Sequence, residues 1–290
     1  MQTGVIVKGI GGFYYVDTGN GVYECRARGK FRIQNITPLI GDRVEIDEDA
    51  ASLKGYIINI LERHNQLVRP TVANIDQAII VFAAKRPDIN MVLMQKFLIY
   101  AEYKRLDIVV CINKIDLDEE EEYMKVVEML ESIPYKVIRT SVKEEVGIEQ
   151  LEGQLAGKTS VFAGPSGAGK SSLLNRVQPG LELKTGDLSK KIDRGTHTTR
   201  HAELITLDNG GMVADTPGFT SLDISEIELP RLESCFPEFE RFKDCYFLNC
   251  VHDREPDCGI KKAVEEGKLS RIRYDFYLSL LNELKESRRF

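Results

Sequence analysis

Eight residues, Gly164-Pro165-Ser166-Gly167-Ala168-Gly169-Lys170-Ser171, follow the pattern G-x-x-x-x-G-K-S, with Ser172 and a helix-forming run from Leu173 to Val177 behind them. The apolar run Val161-Phe162-Ala163 delivers the chain to this point. Strand, glycine-rich turn and helix in that order make a phosphate cradle. Glycines let the backbone wrap an anion, and the helix N-terminus turns unpaired N–H groups and its dipole toward it. Lys170 is then placed to reach the β- and γ-phosphates of a nucleotide, and the Ser171 hydroxyl to ligate magnesium. The loop by itself does not choose the base.

Asn113-Lys114-Ile115-Asp116 makes that choice. It follows the apolar run Ile108–Ile112 directly, at the carboxyl end where ligands bind in strand–helix sheets. An aspartate there accepts from both the ring N1–H and the exocyclic amine of guanine, a donor pair that adenine lacks. One strand further on, Thr140-Ser141-Val142 is placed to back the base with a main-chain N–H from Ser141 or Val142. Asp215-Thr216-Pro217-Gly218 ends another strand: Asp215 can hold magnesium through water, and the Gly218 N–H can sense a γ-phosphate. Thr198 or Thr199, between the phosphate loop and that strand, could close over the metal.

The order of these motifs is unusual, because the guanine motif precedes the phosphate loop. Rotating the list restores the order of Ras-type GTPases, so the simplest account is a circular permutation. The old ends would be joined near Gly157-Lys158 and new ends opened after Gly218, since such cuts are tolerated where termini lie close together at the surface. The segment at Gly218 then leads straight into the C-terminal region, which nucleotide state could move as a lever.

A separate cluster lies near the C-terminus. Cys245-x4-Cys250-x-His252-x5-Cys258 offers three thiolates and an imidazole, the ligand set of a closed structural zinc site. The turn-rich surroundings suit a small segment that needs a staple. Cys25, Cys111 and Cys235 sit in apolar runs and read as core residues.

The elements that must carry these groups fall into three parts. Five short β-rich runs within residues 1–65 suit a small barrel of the oligonucleotide-binding type. Arg26, Arg28, Lys30 and Arg32 alternate there, so a continuous strand would put all four on one face, as a phosphate-backbone surface or as a solvated one. Residues 66–225 alternate strands with helices, which implies a mainly parallel α/β sheet covered on both faces. This stretch includes a helix expected over 119–132, with the acidic cluster from Asp118 to Glu122 at its start, and a hairpin turn at Asp208-Asn209-Gly210. Residues 226–290 read as a small α-helical domain around the zinc cluster, ending in a basic helical tail that includes Arg271 and Arg273. The expected fold class is therefore multidomain: an all-β barrel, a circularly permuted P-loop GTPase domain and a helical zinc-binding domain.

Composition agrees with packed cores: 42% of residues are hydrophobic. The net charge of −6 argues against indiscriminate nucleic-acid binding and leaves RNA recognition to local patches. The longest apolar run, Ala78 to Ala84, is too short to span a bilayer, and the first residues lack a secretory pattern, so a cytoplasmic location is expected.

Barrel, permuted motifs and Cys/Cys/His/Cys segment together cover the whole chain, and in this combination it resembles the circularly permuted, ribosome small-subunit-dependent GTPases, the RsgA (YjeQ/YloQ) family. The resemblance implies GTP hydrolysis stimulated by the small ribosomal subunit, late maturation of that subunit through its rRNA, and magnesium and zinc as cofactors. In one place the chain departs from the family pattern: it reads Gly195-Thr196-His197-Thr198-Thr199 where the family usually has Gly-Arg-His-Thr-Thr. Moreover Phe219 stands where Ras-type enzymes place the glutamine that orients water, so intrinsic hydrolysis should be slow. His197 is the candidate to position that water, or alternatively a switch-packing or RNA-facing residue. Two rivals remain: a P-loop kinase or ATPase, and an RNA-binding scaffold with a vestigial nucleotide site. The chain is expected to act as a monomer, without membrane partners.

Overall fold

The computed structural model describes residues 1–67, 71–181, 203–215 and 224–287, the side chains of Arg32, Asp215, Ser225 and Ser287 aside. His197, Thr198, Thr199, Gly218 and Phe219 lie outside the described residues, as does the side chain of Asp215.

The first five strands, β1 (Gln2–Ile10), β2 (Phe13–Asp17), β3 (Val22–Ala27), β4 (Arg43–Asp49) and β5 (Lys54–Ile60), run in the order β1-β2-β3-β5-β4, and β1 pairs back onto β4. That closure makes the barrel and leaves it without an edge. Alternation builds its core: Tyr23 and Cys25 of β3 point inward with Ile6, Val16, Val44, Ile46 and Ile57, while Arg26 faces out. The expected row of four basic residues is broken. Strand β3 ends at Ala27, and Lys30–Ile33 forms a single helical turn, α1. Instead, the Arg26 guanidinium stands 4.5 Å over the Phe13 ring and Arg28 pairs with Asp47 at 3.0 Å. At the barrel's exit Arg63 forks onto the buried Asp42 carboxylate at 2.6 and 2.7 Å, fixing where the chain leaves.

A two-stranded ribbon of β6 (Gln66–Leu67) and β7 (Val72–Ala73) leads into the central sheet. Its strands are β8 (Gln77–Ala83), β9 (Asp107–Asn113), β10 (Lys136–Thr140), β11 (Thr159–Ala163), β12 (Glu203–Thr206) and β13 (Met212–Asp215), in the order β10-β9-β8-β11-β13-β12. All pair in parallel except the β12–β13 hairpin, which turns at Asp208-Asn209-Gly210 as the sequence implies. A short pairing at Lys8 and Glu203 joins this sheet to the barrel, so eleven strands form one continuous surface. Helices α2 (Met91–Tyr103), α3 (Met124–Glu131), α4 (Ile148–Leu155) and α5 (Lys170–Val177) cover it. Every residue of β8 is buried, as a central strand with both faces covered must be. Helix α3 starts later than expected. Asp118 accepts from the Tyr123 N–H at 3.0 Å and Glu121 takes a positive φ, so the acidic cluster forms a closed turn before the helix.

The C-terminal region is built of short 3₁₀ turns (Ile224–Glu226, Leu229–Arg231, Glu233–Cys235, Pro237–Phe242), then α6 (Gly259–Glu265) and α7 (Arg271–Ser287). Its core, with Phe236, Phe239, Tyr277 and Leu281, takes in Ile99 of α2 as well. Around that contact Tyr103 donates to the Glu226 carbonyl at 2.8 Å, Lys104 pairs with the Glu226 carboxylate at 2.8 Å, and Arg231 donates to the Tyr103 carbonyl at 3.1 Å. Helix α2 thus belongs to both cores.

Arg273 lies in the same joint, so this member of the basic helical tail is interior. It is 0% exposed, bonded to Glu238 at 2.6 and 3.2 Å and stacked 4.6 Å from the Phe236 ring centroid. Burial pushes the nearby Glu102 carboxyl up to about 7, against smaller opposing effects from Tyr135 and Arg273. Because the folded state then holds this proton more tightly than the unfolded one, stability falls as pH rises from about 4.5 to about 7. Glu102→Gln is expected to flatten that slope and raise the thermal midpoint above pH 7, which unfolding scans across pH 5–8 will show. An unchanged slope would remove Glu102 as its source.

Candidate functional site

The phosphate loop runs from β11 to α5 with Gly164, Gly167 and Gly169 all at positive φ. At two of these positions only glycine fits. A Cβ on Gly164 would lie 2.0 Å from the Val81 carbonyl oxygen, and one on Gly169 would lie 2.2 Å from Asn113 Nδ2. Pro165, Ser166 and Ala168 complete the loop; Ala168 is buried, while Pro165 and Ser166 reach the surface. Lys170 is 6% exposed, and its Nζ donates to the Gly164 and Pro165 carbonyls at 2.8 Å each. Burial lowers this ammonium's pKa to about 8, and among the described residues no carboxylate pairs with it. Nucleotide phosphates are the group that would provide the counter-charge. Ser171 is buried on the first turn of α5, at the end of the helix that favours anions and their metals, with Ser172 beside it.

The guanine motif is fastened to this loop by side chains. Asn113, fully buried at the end of β9, donates through Nδ2 to the Ala168 carbonyl at 2.9 Å and accepts from Thr140 Oγ1 at 3.1 Å. Lys114 sits in the left-handed region, and its Nζ donates to the carbonyls of Gly167 and Arg86 at 2.6 Å each. Its aliphatic stem therefore runs along the loop, where one face of a planar base can lie against it. Ile115 opens a 3₁₀ turn that carries Asp116, and Ser141 Oγ donates to Asp116 Oδ1 at 2.6 Å. The Ser141 N–H is bonded to the Val146 carbonyl at 3.1 Å, so of the pair Ser141 and Val142 only Val142 has an amide left for a ligand among the described residues. The sequence offered a main-chain N–H from Ser141 or Val142; in the fold the Ser141 hydroxyl instead holds the Asp116 carboxylate. The Arg86 carbonyl and the Thr140 hydroxyl were missed as positioning groups. Arg86 had no signal to offer, because it acts through its main chain.

Asp215 ends β13, two strands from β8 across β11, at the carboxyl edge shared by Asn113 and the phosphate loop. This places the Asp215 backbone at the expected edge.

Away from this edge, Cys245, Cys250, His252 and Cys258 converge, with all four ligand atoms within 4.8 Å of one another. His252 Nδ1 lies 3.6, 3.4 and 3.3 Å from the sulfurs of Cys245, Cys250 and Cys258, and Cys245 Sγ lies 3.8 Å from Cys258 Sγ. A tetrahedral ion with bonds of about 2.3 Å to sulfur and about 2.0 Å to nitrogen spaces its ligands about 3.5–3.8 Å apart, so the donor set fits zinc. Burial pushes the Cys250 thiol up to about 12, and a bound cation would favour the thiolate instead. His252 Nε2 is buried without a hydrogen bond, 3.5 Å from a Glu233 carboxylate oxygen, and Tyr274 and Tyr277 donate to the His252 and Val251 carbonyls at 2.6 and 3.0 Å. The two tyrosines hold the backbone that carries the imidazole, with the Glu233 carboxylate beside its far nitrogen.

A parallel sheet with a phosphate loop tied to a guanine-selecting motif, in permuted order and between a barrel and a Cys3His cluster, defines a circularly permuted P-loop GTPase. Comparison with known proteins agrees over the full length. The family model of the RsgA GTPase matches residues 60–225, and that of the RsgA N-terminal domain matches residues 3–57. The small ribosomal subunit biogenesis GTPase RsgA of Alkaliphilus metalliredigens is 51% identical over 294 residues, covering 100% of both chains. That of Caldanaerobacter subterraneus subsp. tengcongensis is 52% identical, covering 98% of this chain and 96% of its own. Among solved structures, YjeQ from Thermotoga maritima superposes with a TM-score of 0.86 at 42% identity, covering 98% of each chain. YloQ, described as a circularly permuted GTPase, gives 0.84 at 39% identity, covering 99% of this chain and 96% of its own. The chain belongs to the RsgA family of GTPases.

Proposed function

We propose that this GTPase hydrolyses GTP on the small ribosomal subunit, binds that subunit's rRNA, and acts late in its maturation as a cytoplasmic monomer. The observation that carries the GTP reading is the Asp116 carboxylate, held by Ser141 beside a phosphate loop that is itself pinned to Asn113, while the subunit reading rests on the likeness to small ribosomal subunit biogenesis GTPases. Gly164 to Ser172 bind the phosphates, and Asn113, Lys114, Ile115 and Asp116 with Ser141 and Val142 bind guanine. Ser171, Asp215 and either Thr198 or Thr199 would hold the magnesium that the family implies, which would neutralise charge between the phosphates. Lys170 and the Gly218 amide stabilise the transferring phosphoryl, and His197 positions water in place of a glutamine. Cys245, Cys250, His252 and Cys258 hold one structural zinc. The units are residues 1–65 as the RNA-binding barrel, 66–225 as the GTPase domain and 226–290 as the zinc-binding domain.

In this reading hydrolysis swings the zinc domain and promotes release from RNA. The interface on α2 sets a condition, since a swing has to break the contacts of Ile99, Tyr103 and Lys104. Zinc-domain positions that stay fixed in GTP and GDP forms, on and off the subunit, would end the lever account.

GTP turnover at physiological salt, with and without purified small subunits, tests the whole reading, with ATP and large subunits as controls. A slow basal rate raised strongly by small subunits, and for GTP alone, is the expected outcome. Equal rates with and without subunits would sink it.

A further inference from the structure

His252 gives one ring nitrogen to the Cys/His cluster and has one left over. Its Nδ1 faces all three sulfurs, at 3.6, 3.4 and 3.3 Å, so Nδ1 is the ligand atom. A neutral ring that offers that lone pair carries its proton on Nε2. Yet Nε2 is buried and makes no hydrogen bond among the described residues, in a side chain only 2% exposed. A buried N–H without an acceptor is costly. The Phe239 and Tyr277 rings stand 5.9 and 6.1 Å from the imidazole, so aromatic groups wall it in.

The charged groups nearest the ring are Glu233, Glu255 and Lys243. Glu255 has committed both oxygens, which accept from the Val251 and Asp253 N–H groups at 3.0 Å each. Glu233 divides its two oxygens differently: Oε1 takes the Lys243 ammonium at 2.8 Å, and Oε2 stands 3.5 Å from His252 Nε2. That division has an electrostatic reason. Zinc with three thiolates and a neutral imidazole keeps one net negative charge, which repels a carboxylate brought close alone. Lys243, which also pairs with Glu240, offsets the repulsion, and its own carbonyl accepts the Cys245 N–H at 2.9 Å, so the cation is held at the edge of the cluster.

We propose that Glu233 is a positioning residue of the zinc site, whose Oε2 accepts the Nε2 proton of His252 and so fixes the tautomer that leaves Nδ1 free for the metal. The proposal rests on the structural-zinc reading and adds to it a residue outside the Cys/Cys/His/Cys run. Glu233 opens the 3₁₀ turn Glu233–Cys235, and Cys235 shares a core with Ile99 of α2. One carboxylate therefore fastens the metal to the turn that packs at the joint with the GTPase domain. As a mere surface partner of Lys243 it would leave Nε2 orphaned.

The test uses the full zinc-loaded chain with its four histidines labelled with nitrogen-15. The parent His252 ring should show a metal-bound Nδ1 and a protonated Nε2 whose proton resonates downfield. A proton on Nδ1, or an Nε2 proton in free exchange with water, overturns the proposal, and this holds even if a variant fails to fold. Zinc release to excess EDTA is then followed. Glu233→Ala should weaken zinc binding about 10–100-fold. Glu233→Gln keeps an acceptor oxygen, so it should recover most of that loss while the Nε2 proton moves upfield toward a weaker acceptor. An alanine variant that holds zinc like the parent overturns the proposal. So does a glutamine variant no better than alanine, which would leave Glu233 as the partner of Lys243 alone. A purified, reduced parent chain without zinc by metal analysis would end the zinc reading itself, and this proposal with it.

Discussion

Lys170→Ala is expected to lower GTP turnover, basal and subunit-stimulated alike, by about 10²–10³-fold, the usual effect of removing one preorganised donor from a developing negative charge. The geometry explains why no neighbour can substitute. The ammonium is nearly enclosed, and its described partners are the two loop carbonyls of Gly164 and Pro165, each 2.8 Å away. Neither carbonyl neutralises it, and burial has already lowered its pKa to about 8. The loop keeps the cation there at some cost in solvation, which an arriving phosphate relieves. Stability should therefore hold or rise in the alanine variant while nucleotide affinity and turnover fall. Steady-state turnover together with a thermal midpoint measured without nucleotide separates the two. Normal turnover in a folded Lys170→Ala chain would take this loop out of the chemistry.

Arg273→Met is expected to destabilise the chain by about 3–5 kcal/mol, because it leaves the Glu238 carboxylate buried without its partner. The pair is fully enclosed, with Arg273 at 0% and Glu238 at 6% exposure, and the Arg273 Nη1 makes no hydrogen bond, so the ion pair is imperfect. Removing both charges with Arg273→Met and Glu238→Leu together should recover most of the loss, since apolar replacements of a buried pair are often neutral. Denaturant unfolding of the two single variants and the double variant measures this. A single Arg273→Met variant as stable as the parent would mean the pair is solvated in solution. Because this pair sits where α7 meets the GTPase domain, the unfolding should begin in the C-terminal region, with the Cys3His segment released from α2.

Much of the site was legible because each part is a short contiguous run whose chemistry depends on residue type and spacing. G-x-x-x-x-G-K-S, Asn113-Lys114-Ile115-Asp116 and the Cys/Cys/His/Cys spacing name phosphate, guanine and zinc, and their order exposes the permutation. The barrel was equally legible, since alternation along each strand records which side chains face inward. What lay beyond reach is set by segments far apart in the chain. Nothing near Ser141 says that its hydroxyl meets Asp116, because that depends on where Asp116 arrives. The run from Arg26 to Arg32 alternates, yet the strand ends at Ala27 and the chain turns helical from Lys30, although its partner β5 runs on to Ile60. Arg273 reads in the sequence as one more cation of a basic helical tail; Glu238 and Phe236, brought to it by folding, make it interior. Local spacing fixes which groups a segment can present, while burial and partners are properties of everything packed around it, and for Asp116, Ser141 and Arg273 the tertiary structure alone decided them.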